Sequence, residues 1–226
     1  WAAAAAAVAA WAHVVGGAAR GLVVAGGPAA RPRRPPRLPR VDPSKITYDL
    51  VLADEWAPGG KGPAIIAELR RKLAAQKRNT TAEKTVIGFD AEWMPAYKKT
   101  TTDKSYKRVD LVQIALPETA HAYLFDMSFD GMPSPLRGLL EDPDVLKVHC
   151  GALDIRLVYL SGCLVRGSVD VQRMYGALQP NWTALGEKDN RRQKSLAHMY
   201  KHFEGRELPK DEQRTDWSRP AALSGS

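Results

Sequence analysis

Two hydrophobic periods divide the chain. From Pro63, the run AIIAELRRKLAAQKR puts Ile65, Ile66, Leu69 and Leu73 on one stripe of a 3.6-residue period, and proline suits a first helical turn, which predicts a helix over 64–78. Thr85–Trp93 is almost unbroken apolar sequence, the signature of a strand covered on both faces. Asp110–Leu116 and Ala122–Asp126 read as two more strands, Pro135–Glu141 as a short helix and Val145–His149 as a fourth strand. A helix over Leu153–Leu160, closed by Gly162, leads to a fifth strand at Ser168–Gln172 and a short helix over 173–178. The last helix, Ser195–Phe203, carries Leu196, Met199, Tyr200 and Phe203 at i, i+3, i+4 and i+7, with Gly205 past its end. Three strands in succession, then strands alternating with helices, predict an α/β fold: a mixed five-stranded sheet flanked by helices.

Residues 1–40 stand outside this patterning. Ala, Gly and Val dominate the first thirty, and RPRRPPRLPR at 31–40 cannot form regular structure. The segment is acid-free and Arg-bearing, as organelle-targeting peptides are, yet it lacks the serine they usually carry. Trp1–Ala19 is uncharged and about the length of a membrane span, but Ala and Gly drive insertion weakly, so no stable membrane association is expected. The expected organisation is a low-complexity segment over 1–40, targeting or disordered, an N-terminal extension over 41–83 with the helix at 64–78, and a main domain over 84–226. An intracellular location is expected, in nucleus, cytoplasm or organelle.

Composition narrows the picture little. Hydrophobic residues make up 44% and charged residues 26% of the 226, ordinary for a globular chain. The net charge of +8 hints at nucleic acid, but residues 1–40 hold six Arg and no acid, so the remaining 186 residues carry only +2. Nucleic-acid binding must therefore rest on local patches and a site. Cys150 and Cys163 are too few for a metal cluster or a disulfide framework and read as buried or half-buried thiols.

The candidate chemistry is acidic. The predicted strand IGFDAEWMP ends in two carboxylates, and residues i and i+2 of a strand point the same way, so Asp90 and Glu92 project together. Side by side they repel and raise each other's pKa, and a cation relieves that. Hard oxygen donors suit Mg²⁺ or Mn²⁺. A third acid, Asp154, follows the strand KVH and a glycine turn, in the first turn of the next helix. If the strands ending at Asp90 and His149 are neighbours, Asp154 faces Asp90 and Glu92 across a cleft. Three such carboxylates can hold two divalent ions about 4 Å apart, the layout for in-line attack of water on a phosphodiester.

Taken in order, FDAEW, VDLVQIAL, KVHCGALDIRLVYL with GSVDVQ, and SLAHMYKHFEGRELPKDEQRTDWSRP resemble successive signatures of the DEDD 3′–5′ exonuclease superfamily, in its ribonuclease D-like and Werner-type branch. The resemblance runs over about residues 84–220. It implies a ribonuclease H-like fold, two divalent ions (Mg²⁺ or Mn²⁺), and removal of nucleotides from the 3′ end of single-stranded DNA or RNA. Carried over by motif, Asp90 and Glu92 become the first-motif ligands, with Asp90 bridging both ions, and Asp154 the second-motif acid.

One element of the family pattern has no counterpart. The third motif, a Tyr or His followed four residues later by Asp, belongs some ten residues beyond a segment like Asp216–Pro220, where this sequence reads AALSGS. Without that ligand the chain as it stands is expected to be inactive or nearly so. The alternative is a degenerate module that grips 3′ ends without cutting them.

Further residues enter as candidates for nucleic-acid contact. Tyr97–Arg108 carries Lys98, Lys99, Lys104, Lys107 and Arg108 against a single acid, with Tyr97 and Tyr106 for stacking, and follows the acidic strand directly. Trp93 either lines a nucleotide pocket or packs. His149 either touches substrate or is held structurally. Asp170 is expected to cap the helix after it, and Gln113 to be a satisfied core amide.

Overall fold

The computed structural model describes residues 47–78, 84–93, 109–116, 119, 121–128, 131–178 and 195–204. Strands β1 (Thr47–Val51), β2 (Thr85–Glu92), β3 (Leu111–Ala115), β4 (His121–Asp126), β5 (Val145–His149) and β6 (Ser168–Asp170) form a single sheet in the order β1-β4-β3-β2-β5-β6. β3 runs antiparallel to both β2 and β4, and the other pairings are parallel. The helices are α1 (Lys61–Arg78), α2 (Ser134–Leu140), α3 (Ala152–Leu160), α4 (Val171–Leu178) and α5 (Leu196–Glu204), with a 3-10 turn at Ala53–Trp56. The α/β fold is as expected. The strand count is corrected from five to six, because TYDLV at 47–51 pairs with β4 at the sheet edge. The fifth expected strand is also shorter, since Val171 already begins α4.

The two faces of the sheet are built differently. On one, Ile87, Phe89 and Ala91 of β2 join Val112, Ile114, Tyr123 and Phe125 in the main core. The stripe Ile65, Ile66, Leu69 and Leu73 of α1 and the residues Leu136, Leu139 and Leu140 of α2 close over it. Gly62, in the first turn of α1, lies against the indole of Trp56: a Cβ there would sit 2.6 Å from Trp56 Cε3, a distance no side chain tolerates. On the other face two smaller clusters form, Leu111 and Leu124 with Leu50, and Val86 and Val148 under Val171, Tyr175 and Met199 of α4 and α5.

Register assigns the polar residues to faces. Asp90 pairs with Gln113 and Glu92 with Leu111, so both acids belong to the second face. Lys147 of β5 pairs with Ile87, so it belongs to the main-core face, where it is fully buried and donates from Nζ to the Asp142 carbonyl at 2.5 Å. At the edge, β1 is stapled through one side chain of β4. His121 meets Thr47 Oγ1 at 2.7 Å through Nδ1 and Asp49 Oδ2 at 3.0 Å through Nε2. No helix among the described residues is long and apolar enough to cross a membrane.

Candidate functional site

β2 and β5 are adjacent and parallel, so both reach the same end of the sheet, β2 with Asp90 and Glu92 and β5 with His149. Gly151 then reverses the chain at φ +103°, a conformation few residues but glycine adopt, and α3 begins. Asp154 lies in the first turn of α3 and is buried, while Asp90 and Glu92 are half-buried.

The carboxyl groups of Asp90 and Asp154 hydrogen-bond to each other. Burial pushes the Asp154 carboxyl up to about 9, and the nearby charges of Asp90, Glu92 and Asp170 add to the rise. Burial raises Asp90 to about 7, with the Ala91 backbone and the Asp154 hydrogen bond pulling against it. Glu92 rises to about 8, again from burial first and the Asp90 charge second. Since the shared bond raises Asp154 and lowers Asp90, the proton sits on Asp154 and Asp90 accepts it. A shared proton thus occupies a place where three carboxylates would otherwise repel.

That chemistry fits a hard dication, whose charge would replace the shared proton and let all three groups ionise. Among the described residues, no three His, Cys, Asp or Glu side chains already stand in a metal-holding arrangement.

Around the acids, buried polar residues hold positions. Gln113 is buried in the apolar strand β3 and donates from Nε2 to Asp90 Oδ2 at 3.4 Å, a bond across the register pair. The expected core amide is therefore satisfied by the candidate ligand itself. His149 is buried and donates through Nδ1 to the Gly151 carbonyl at 2.7 Å, with burial lowering its pKa. Asp170 Oδ1 accepts the Gln172 N–H at 2.9 Å, as a cap for α4 would, and also the Gly151 N–H at 3.3 Å. Trp93 is half-buried and packs on the main core. Cys150 is a half-buried free thiol, pushed up to about 12 by burial and then by Asp170, Asp154 and Asp90, so it stays protonated beside the acids. Lys98, Lys99, Lys104, Lys107 and Arg108 lie outside the described residues, as do Tyr97, Tyr106 and everything beyond 204.

The second bond of Asp170 and the partner of Gln113 escaped the sequence reading. Both depend on which residues face each other across strands, and no local pattern carries that information.

Comparison with known proteins adds the family. A family model described as 3′–5′ exonuclease matches residues 66–224. No curated protein matches the chain. Among solved structures, the chain is similar to Escherichia coli RNase D, an exoribonuclease involved in structured RNA processing, at 20% identity and TM-score 0.49, covering 76% of this chain and 37% of that one. It is similar to the catalytic core of RRP6 from Trypanosoma brucei at 19% identity and TM-score 0.48, covering 77% and 40%. The Aedes aegypti Nibbler EXO domain aligns at 17% identity and TM-score 0.47, covering 79% and 77%. The chain thus corresponds to well under half of the RNase D and RRP6 structures. With the family match spanning most of its length and the acid-bearing strand inside that match, the chain belongs to the 3′–5′ exonuclease domain family.

Proposed function

We propose that this domain hydrolyses phosphodiester bonds at the 3′ ends of single-stranded DNA or RNA, with Asp90, Glu92 and Asp154 as ligands for two divalent ions, Mg²⁺ or Mn²⁺. The observation that carries the reading is the hydrogen bond between Asp90 at the end of β2 and Asp154 in the first turn of α3, beside Glu92, with burial raising the three carboxyls to about 7, 9 and 8 respectively. Bound ions would lower the pKa of the attacking water and stabilise the leaving 3′-oxygen.

The chain's own groups have definite tasks in this reading. Asp154 gives up the proton it shares with Asp90, so ion binding releases protons and tightens as pH rises. Asp90, steadied by Gln113, would be among the residues that hold the ions. Trp93, packed on the main core, and His149, bonded to the Gly151 carbonyl, serve the site by holding its surroundings in this reading. Lys98, Lys99, Lys104, Lys107 and Arg108 track the phosphates of the strand leading into the site. The ribonuclease D-like branch is the one whose ordered signatures the sequence resembles.

The test is calorimetric and enzymatic. Mn²⁺ binding to the wild-type chain, lost in Asp90→Ala, together with slow Mn²⁺-dependent 3′ shortening of a 5′-labelled single-stranded oligonucleotide, also lost in Asp90→Ala, is expected. A wild-type chain that binds no Mn²⁺ at millimolar concentration would overturn the reading.

A further inference from the structure

The turn that delivers Asp154 is held at a single residue from both sides. Gly151 caps the N-terminus of α3, yet no side chain caps that helix directly. Instead the two polar groups of Gly151 are taken up separately. Its carbonyl accepts from His149 Nδ1 at 2.7 Å, and its N–H donates to Asp170 Oδ1 at 3.3 Å. His149 and Asp170 are register partners on β5 and β6. Neighbouring strands thus reach one residue through the two peptide groups that flank it. A Cβ on Gly151 would meet only Gln172 Oε1, at an ordinary 3.5 Å, so it is the φ of +103° that the two bonds must secure rather than a shortage of space.

The consequence bears on Asp154, three residues further on. A helix whose first residue is fixed in position and direction delivers its first-turn side chains to one place. With Gly151 free to rotate, α3 could start elsewhere, and the Asp154 carboxyl would lose Asp90. Asp170 is itself immobilised, since the same Oδ1 accepts from Gln172 at 2.9 Å. It also lies near enough to Asp154 for its charge to act on that carboxyl.

We propose that Asp170 is a positioning residue for the ion site: with His149 it clamps Gly151 and so sets Asp154 against Asp90. The proposal rests on the metal-dependent reading above. It goes beyond a helix cap, because a cap for α4 needs only the Gln172 bond.

Three substitutions separate clamp from cap. Asp170→Asn keeps an oxygen able to take both N–H bonds. Asp170→Ser can still cap Gln172 but is too short to span to Gly151 as well. Asp170→Ala does neither. Mn²⁺ affinity, read by calorimetry, is expected to fall about 10-fold or more in Ser and Ala and to stay within about threefold in Asn, the size of effect that groups orienting metal ligands have elsewhere. Thermal midpoints without metal should separate the variants differently: Ser stays near wild type and Ala falls. Wild-type Mn²⁺ affinity in Asp170→Ser would overturn the clamp. If the wild type itself binds no Mn²⁺, the metal reading fails, and crystal structures of the metal-free Ser variant still decide: Asp154 displaced from Asp90 supports the clamp, and Asp154 unmoved overturns it.

Discussion

The sheet buries charge on both faces and handles it in opposite ways. On the main-core face, Lys147 is fully enclosed, and burial lowers its pKa to about 8, against the raising influence of Asp142. Its need is met within the fold, by the carbonyl of Asp142. On the second face, Asp90, Glu92 and Asp154 are pushed up to about 7, 8 and 9. Their nearest partners are one another and an amide, with no cation among the causes that shift Asp90 or Asp154. The lysine is a charge that the structure has absorbed. The acids are charges that the structure suppresses with protons, and that a ligand could restore. A raised pKa alone does not mark a site; one that only an outside cation can relieve does.

The largest expected effect breaks this contrast by pH. Carboxyls raised in the folded state bind more protons there than when unfolded, so their contribution to stability is full below about pH 4 and is lost as pH climbs through about 7 to 9. Between pH 5 and 8.5 the metal-free thermal midpoint should fall, by roughly 10 °C. Saturating Mg²⁺ should reverse most of that fall, most strongly at the alkaline end, and Asp90→Asn should blunt both. Calorimetric scans across pH, with and without Mg²⁺, check it; a midpoint indifferent to both would place the acids in solvent.

Lys147 should behave with the opposite sign. Its folded pKa lies below its unfolded value of 10.5, so it weakens the fold at pH 7 and that penalty lifts as pH rises from about 8 to 10.5. Lys147→Met should be neutral or stabilising by up to about 2 kcal/mol at pH 7 and should erase that alkaline gain. Denaturant midpoints of the two proteins at pH 7 and pH 10 make the comparison.

A smaller effect sharpens the role of Gln113. Gln113→Leu keeps the volume in β3 but removes the donor to Asp90, so Mn²⁺ affinity should drop about 3- to 10-fold with only a modest change in stability. Titration calorimetry reads the first and chemical denaturation the second. The smallest concerns the edge staple. His121→Ala should cost about 0.5–1 kcal/mol, leave Mn²⁺ affinity unchanged and speed amide exchange in β1.

Much of the architecture was legible because it is local. The apolar run ending in Asp90 and Glu92, the stripe of α1, and the strand–glycine–helix passage into Asp154 each sit in one stretch of chain and obey one period. Strand β1 was missed because its five residues mix Asp49 with apolar neighbours, as an edge strand exposed along much of its length does. It gains its identity only from β4, dozens of residues away. Gln113 was read correctly as a satisfied amide, but its partner lies across a register that no periodicity reports. Asp170 was read as a cap, which it is; its hold on Gly151 comes from the parallel pairing of β5 and β6.

The place of β1 also governs the order in which the domain can assemble. Thr47 and His121, which bond across the β1–β4 pair, are 74 residues apart. At a synthesis rate of about 5–20 residues per second, β1 leaves the ribosome roughly 4–15 s before its partner exists. For that interval it is an unpaired strand awaiting a template. The sheet must therefore be completed at this edge by an earlier-made strand docking onto a later one, a long-range step that a nascent-chain pausing or arrest experiment could time directly.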